Sequence, residues 1–201
     1  MDKLLRGISF IFHPLLMPII GTLFYFWKSP RYFPSQMVYA KLVSLSILTL
    51  ILPILICFLL KTLGKIKSGN LETTTERILP LGIYCIVVFI IIERVVTPSQ
   101  IPALYYFFLG ILISNLICLV LALFKFKASI HMIAVSGLFM FFVVLGFHFG
   151  INLNNTLAFT SIVIGTVATS RLHVKAHTFR EIIVGFFVGL LPQVLLAYYW
   201  V

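Results

Sequence analysis

The sequence predicts an all-α membrane protein, a polytopic bundle of six or seven transmembrane helices in one domain that covers residues 1–201. Hydrophobic residues make up 61% of the chain and charged residues 10%, whereas a soluble domain has about 25% charged residues. The mean hydropathy is +1.14. The apolar residues lie in continuous runs and do not alternate with polar ones, which argues against a transmembrane β-barrel.

Seven apolar runs are candidate spans, because a helix needs about 20 mostly apolar residues to cross a bilayer. The third and sixth runs are short, and snorkelling of Glu93 and Arg94 would lengthen the third. Pro14 and Pro18 predict that the first run is kinked, re-entrant or interfacial. In chain order the runs are 8–27, 42–60, 78–92, 101–124, 132–149, 156–169 and 182–201.

Counting the crossings places three polar segments on one side of the membrane, which we call the site face. These segments are residues 61–77, 125–131 and 170–181. Their placement does not depend on whether the first run crosses. Only four of the fifteen basic residues fall in the loops of the other face, namely Lys28, Arg31, Lys41 and Arg94. By the positive-inside rule the site face is cytoplasmic, unless those cations belong to an active site.

The formal net charge of +10 is high for so apolar a chain. The basic residues are scattered among loops, so we expect no nucleic-acid partner. Anionic membrane lipids or a phosphorylated substrate account better for the charge. The three cysteines lie inside apolar runs, at spacings that fit neither a metal site nor a disulfide framework.

The segment 170–181 combines residue types that suit an anionic substrate. His177 and Glu181 are four residues apart and would share one face of a helix. The carboxylate can then accept from one ring nitrogen of His177 and leave the other as a nucleophile. Arg171, expected in the turn that enters this helix, has a guanidinium group suited to phosphate oxygens.

The other two segments add groups of matching chemistry. Ser129 is a candidate N-cap for the fifth span, which would direct helix N–H groups at an anion. His131 is placed to protonate a leaving oxygen. Arg77 and Lys127 contribute further positive charge.

These residues resemble the motifs of the type 2 phosphatidic acid phosphatase (PAP2) superfamily, in the same order along the chain. Ser170-Arg171, five residues, His177, three residues and Glu181 are similar to its third motif, Ser-Arg-x5-His-x3-Asp. Residues 128–131, Ala-Ser-Ile-His, match the second motif, Pro-Ser-Gly-His, loosely. Residues 70–78 match the first, Lys-x6-Arg-Pro, poorly, with Asn70 in place of the lysine. The likeness is to a divergent prokaryotic branch.

The resemblance implies a PAP2-like lipid phosphatase of a bacterial inner membrane that needs no metal or other cofactor. It implies that His177 attacks phosphorus to form a phosphohistidine, that Glu181 orients it and that His131 is the general acid. The same likeness assigns phosphate binding to the remaining site residues, with a lysine from elsewhere replacing the one that is absent at Asn70: Arg171, Arg77, Ser129, and Lys127 or Lys67.

The resemblance favours an active site on the extracytoplasmic face, opposite to the charge rule. Substrates within its range are phosphomonoesters or pyrophosphates of lipids, such as phosphatidate, phosphatidylglycerol phosphate, polyprenyl diphosphate and lipid A. The apolar residues do not distinguish among these lipids.

Two alternatives stay open at this point. The weak first motif is compatible with a non-catalytic protein that binds or transports a lipid phosphate on the same fold. A metal site is the other, since His173, His177 and Glu181 are spaced four and four residues apart, although the nearby cations are unfavourable for it. His13 and His148 lie within apolar runs, which is typical of packed or pore-lining histidines.

Overall fold

The computed structural model describes the backbone of residues 2–67 and 73–201, and the side chains of that part from residue 7 onwards. All regular secondary structure among the described residues is helical and none of it is strand, which confirms the all-α prediction. The α-helices are α1 (Asp2–Ile11), α2 (Met17–Lys28), α3 (Ser35–Ser46), α4 (Leu52–Thr62), α5 (Thr74–Arg94), α6 (Pro102–Leu123), α7 (Ile130–Phe149), α8 (Asn154–His173) and α9 (Phe179–Ala197).

Six helical stretches among the described residues are long and apolar enough to span a membrane, which makes the protein a polytopic membrane helix bundle. They are Gly7–Lys28, Ser35–Thr62, Thr74–Arg94, Ile130–Phe149, Pro102–Leu123 and Phe179–Ala197. The remaining predicted run, 156–169, is also helical and forms most of α8, but this helix is more polar and is not among the six.

Helix α8 nevertheless returns the chain to the site end of the bundle. It begins four residues after Gly150, the C-cap of α7. Near its other end, the Ser170 hydroxyl lies 2.7 Å from that of Ser9, whose carbonyl oxygen is 3.2 Å from Nε2 of His131 in the first turn of α7. Helices α7 and α8 therefore run antiparallel along their length, and residue 170 lies level with residue 131.

Prolines divide the first two spans. A proline has no N–H for the helical hydrogen bond and its ring clashes with the preceding turn. The first span accordingly breaks between Ile11 and Met17, where a short 3₁₀ turn (Pro14–Leu16) joins α1 to α2. In the second span a π-helical turn (Ile47–Ile51) precedes Pro53. Of the three expectations for the first span, the kinked one is observed.

Two glycines bring α9 against α7. A Cβ atom on Gly189 would lie 2.0 Å from the carbonyl oxygen of Ile133, and one on Gly185 would lie 2.8 Å from that of Ser129. No side chain fits at these distances, so the small residues permit direct backbone contact. At the same end, the backbone N–H of Ser129 donates to the carbonyl of Glu181 over 3.2 Å. This packing sets the first turns of α7 and α9 side by side, where the site lies.

Candidate active site

The three polar segments of the site face meet at one end of the bundle. Nη1 of Arg77 donates to the carbonyl of Ala128 over 2.7 Å. Nζ of Lys127 donates to the carbonyl of Ala176 over 3.1 Å, and Nδ1 of His177 lies 3.2 Å from the carbonyl of Lys127. The prediction that the segments share one face, made by counting crossings, is confirmed by these contacts.

His177 lies in the turn between α8 and α9 and is buried. Its Nδ1 is 3.1 Å from Oε2 of Glu181 and 3.2 Å from the carbonyl oxygen of Lys127. Both partners are oxygens that can only accept, so Nδ1 carries the proton and Nε2 keeps a lone pair. The ring forms part of a cavity wall. This is the tautomer that a nucleophilic histidine requires.

The contact between His177 and Glu181 was predicted, but for a reason that is wrong. His177 precedes Thr178, the N-cap of α9, and so does not share a helical face with Glu181. Glu181 occupies the third position of α9 and closes a capping box: its Oε2 accepts from the backbone N–H of Thr178 over 2.8 Å. A carboxylate that folds back to the N-cap reaches the preceding ring as well.

The surroundings keep His177 neutral. Burial lowers the pKa of His177 below its usual 6.5, and the positive charges of Arg77 and Lys127 lower it further, while the hydrogen bond to Glu181 opposes the shift. The unprotonated imidazole is therefore the form present at neutral pH. That form has the lone pair on Nε2 that an attack on phosphorus needs.

Arg171 lies in the last turn of α8, not in the turn that enters α9 as predicted from the sequence. Its side chain forms part of the same cavity wall. Its Nε is buried and has no hydrogen-bond partner among the described residues. An unpaired buried N–H of this kind costs about 1–3 kcal/mol. A bound anion would supply the missing acceptor.

Ser129 is the N-cap of α7 by backbone position, but its side chain makes no capping hydrogen bond. The side chain is fully buried and its Oγ has no partner among the described residues. It is also absent from the cavity wall, and its backbone is packed against Gly185. The structure thus places Ser129 next in sequence to residues that line the site but not among them.

His131 lies in the first turn of α7 and lines the cavity. Its Nε2 is 3.2 Å from the carbonyl oxygen of Ser9. A carbonyl only accepts, so Nε2 carries the proton and is engaged, and Nδ1 is the nitrogen with the lone pair. The predicted proton donor is present in the wall, with its N–H directed at the protein backbone in this arrangement.

The N-terminal segment contributes to the site, which the sequence motifs did not indicate. Ser9 and His13 both line the cavity. The ring centroid of His13 lies 5.6 Å from that of His131 in an edge-to-face arrangement. His13 was expected to be a packed or a pore-lining histidine, and the structure places it in the cavity wall. The sequence feature that could have indicated a role for His13 in the site is its position next to Pro14, since proline-interrupted spans often mark binding sites in membrane proteins.

Of the outlying candidates, His173 does not join the site. Asn70, which stands at the lysine position of the first motif, lies outside the described residues. His173 ends α8 with an exposed side chain and is absent from the cavity wall. Because α8 ends there, His173, His177 and Glu181 are not on one helical face. Among the described residues no group of three potential metal ligands is present.

The cavity has a volume of about 830 Å³ and two chemically different parts. Its polar end has four cations in the wall, and no carboxylate among the described residues lines it. The other part extends between the membrane helices and is mostly apolar. The cations are Arg77, Lys127, Arg171 and Lys175, and the apolar part includes Pro53, Ile56, Val87, Phe107, Ile111 and Leu138.

This combination suits an amphiphile with an anionic head and an apolar tail. Helix dimensions give the scale: Ile111 lies twelve residues before the end of α6, about 18 Å along its axis at 1.5 Å per residue. Because α6 is long enough to span a bilayer whose hydrocarbon core is about 30 Å thick, the apolar part of the cavity reaches the depth of lipid tails. No family model, curated protein or solved structure matches this chain.

Proposed function

We propose that this protein is a membrane lipid phosphatase that works through a phosphohistidine at His177. One observation carries the proposal. The Nε2 lone pair of a buried, oriented histidine lies at the cationic end of a cavity whose other part is apolar and enclosed by membrane helices. Such a site matches a phosphorylated lipid in charge, in shape and in reactivity.

In the first step, the side chains of Arg171, Arg77 and Lys127 neutralise the phosphate oxygens, and Nε2 of His177 attacks phosphorus. A P–N bond forms while the P–O bond to the lipid breaks, and the leaving oxygen takes up a proton from His131, the proposed general acid in the cavity wall. The Glu181 carboxylate stabilises the positive charge that develops on the ring. Water then attacks the phosphohistidine, which releases inorganic phosphate and restores His177.

The substrate is a phosphomonoester or pyrophosphate of a lipid, because the cationic end accommodates a phosphate group and the apolar part accommodates a tail. The bacterial cell membrane is the proposed location, by the resemblance to a prokaryotic branch of PAP2 proteins. The cations at the polar end of the cavity also favour contact with anionic membrane lipids.

The decisive experiment is phosphate release by purified protein from phosphatidate, phosphatidylglycerol phosphate, polyprenyl diphosphate and lipid A. We expect wild-type protein to hydrolyse at least one of them and His177→Ala to hydrolyse none. His148→Ala is the matched control, because His148 lies at the opposite end of the bundle against Trp200. Unchanged release by His177→Ala would overturn the mechanism.

A second readout identifies the intermediate. Brief incubation with substrate labelled in the phosphate should leave an acid-labile, base-stable label on wild-type protein and none on His177→Ala. Treatment with a chelator tests the metal alternative: we expect release to continue unchanged. Activity lost to the chelator and restored by a divalent cation would contradict the metal-independent proposal.

A non-catalytic lipid-phosphate binder is the second candidate, and one observation favours it. The N–H of His131 is engaged with the carbonyl of Ser9, so no proton is directed at a leaving oxygen in this arrangement. A binder would retain phosphatidate or another lipid of the panel with micromolar affinity and release no phosphate from it. Binding without release by wild-type protein would favour this candidate over the phosphatase.

A further inference from the structure

A third histidine, His13, lies in the wall of the cavity close to the proposed phosphate site. Its ring meets that of His131 edge to face at 5.6 Å between centroids. Arg171 is near enough for its charge to act on the ring. His13 thus belongs to the cationic end of the cavity, although it comes from the first span and from none of the three motif segments.

The local backbone determines which nitrogen of His13 carries the proton. His13 is the N-cap of the 3₁₀ turn Pro14–Leu16, and its Nδ1 accepts from the backbone N–H of Leu15 over 3.4 Å. An accepting Nδ1 has no proton, so Nε2 is the N–H donor. This Nε2 has no hydrogen-bond partner among the described residues. Pro14 restricts the backbone at the cap, and the hydrogen bond from Leu15 orients the ring before a ligand binds.

The three histidines in the cavity wall consequently differ in which ring nitrogen carries a proton and whether that proton is already hydrogen-bonded. His177 presents a lone pair on Nε2, since its proton is on Nδ1. His131 has its Nε2 proton engaged with the Ser9 carbonyl. His13 alone of the three has an unengaged N–H, and its ring lines the cavity at the end that would hold the acceptor oxygens of a phosphate group.

We propose that His13 is a phosphate-binding residue that donates its Nε2–H to an oxygen of the bound phosphate group. This inference depends on the proposed phosphate site and extends it to a segment outside the family-like motifs. The donor is neutral and oriented by the 3₁₀ cap, so it adds one directed hydrogen bond to a site whose other phosphate-binding groups are cations. The first span then contributes to substrate positioning as well as to the bundle.

Two substitutions separate this role from a purely structural one. Asn in place of His13 keeps a side-chain acceptor for the N–H of Leu15, since Asn is a favoured N-cap, but has no group at the position of Nε2. Gln places its amide N–H₂ near that position and is a poor cap. His148→Asn, in a histidine remote from the cavity, controls for general effects of the exchange.

The experiment is calorimetric titration of inorganic phosphate into detergent-solubilised full-length protein, repeated with phosphatidate in mixed micelles. We expect His13→Asn to weaken phosphate binding about 10- to 100-fold, the range for loss of one hydrogen bond to a charged group. His13→Gln should bind more tightly than His13→Asn, and His148→Asn should match wild type. The phosphatidate titration should show the same order.

The outcomes distinguish failure of this inference from failure of the proposed function. Wild-type binding of phosphate, with His13→Asn equal to wild type or His13→Gln as weak as His13→Asn, overturns the role of His13 and leaves the phosphate site intact. Absence of phosphate and phosphatidate binding to wild-type protein overturns both.

Discussion

Replacement of Glu181 by Gln tests whether the carboxylate orients and activates His177. One oxygen of Glu181 serves two donors, Nδ1 of His177 at 3.1 Å and the backbone N–H of Thr178 at 2.8 Å. Because Thr178 requires an acceptor at that place, the amide oxygen of Gln is expected to take the position of Oε2. Both hydrogen bonds and the tautomer of His177 then persist, and only the negative charge is removed.

The size of the effect follows from the kind of hydrogen bond. A hydrogen bond to a charged partner contributes about 1.5–3 kcal/mol and a neutral one about 0.5–1.5 kcal/mol. The loss of about 1–2 kcal/mol in stabilising the charge that develops on His177 corresponds to a roughly 5- to 30-fold fall in kcat/KM. Glu181→Gln should remain folded, since Gln is also accepted in a capping box.

The assay is the initial rate of phosphate release from the preferred lipid, measured at several substrate concentrations. The chain offers a matched control in the capping box of α5, where Glu76 accepts from the backbone N–H of Thr73 over 3.4 Å. Glu76 does not line the cavity. Glu76→Gln removes the same charge from the same helix position and should leave kcat/KM within about twofold of wild type.

Two results would refute the reasoning. If Glu181→Gln retains the wild-type kcat/KM, the carboxylate does not act on His177 during the reaction. If Glu76→Gln loses as much activity as Glu181→Gln, the effect comes from the charge at a helix N-terminus and not from contact with the ring.

Three further predictions concern pH, packing and the cavity. Because the pKa of His177 lies below 6.5, kcat/KM should stay level as pH falls through 6.5 and drop only at lower pH, where the ring gains a proton; an acid limb at 6.5 or above contradicts this. Gly189→Ala should lower the thermal midpoint of the purified protein by the equivalent of about 1–3 kcal/mol, since its Cβ would meet the Ile133 carbonyl. Gly165 has open space around it, so Gly165→Ala should leave the thermal midpoint unchanged. Equal thermal midpoints for Gly189→Ala and wild type would refute the close packing. Ile111→Trp should slow hydrolysis of the lipid but not of p-nitrophenyl phosphate, whereas Val120→Trp on the exposed side of the same helix should affect neither; equal loss on both substrates would exclude a tail in the apolar part.

The α-helices and their membrane character could be predicted because both are local properties of the chain. A run of about 20 apolar residues forms a helix in a bilayer whatever its neighbours are, since only internal hydrogen bonds satisfy its backbone there. The effect of a proline on a helix is also local, so a kink at Pro14 was among the predicted outcomes. Counting the crossings was then enough to predict, without tertiary information, that Arg77, Lys127 and His177 lie on one face.

The contact of Glu181 with His177 shows the limit of spacing arguments. The residue pair was correct, but the geometry is a capping box with a ring just before it, not two side chains on one helical face. A spacing of four is compatible with both arrangements. Only the observed start of α9 at Phe179 decides between them.

By itself, the sequence determined an all-α membrane bundle and a cationic, histidine-containing face, because hydropathy and crossing number depend on the order of residues alone. The tertiary structure decided what each site residue faces. It placed the backbone of Ser129 against Gly185 of α9 and left this residue out of the cavity wall, and it brought His13 beside His131. Contacts between residues more than a hundred positions apart depend on how helices pack, and no local pattern encodes that packing.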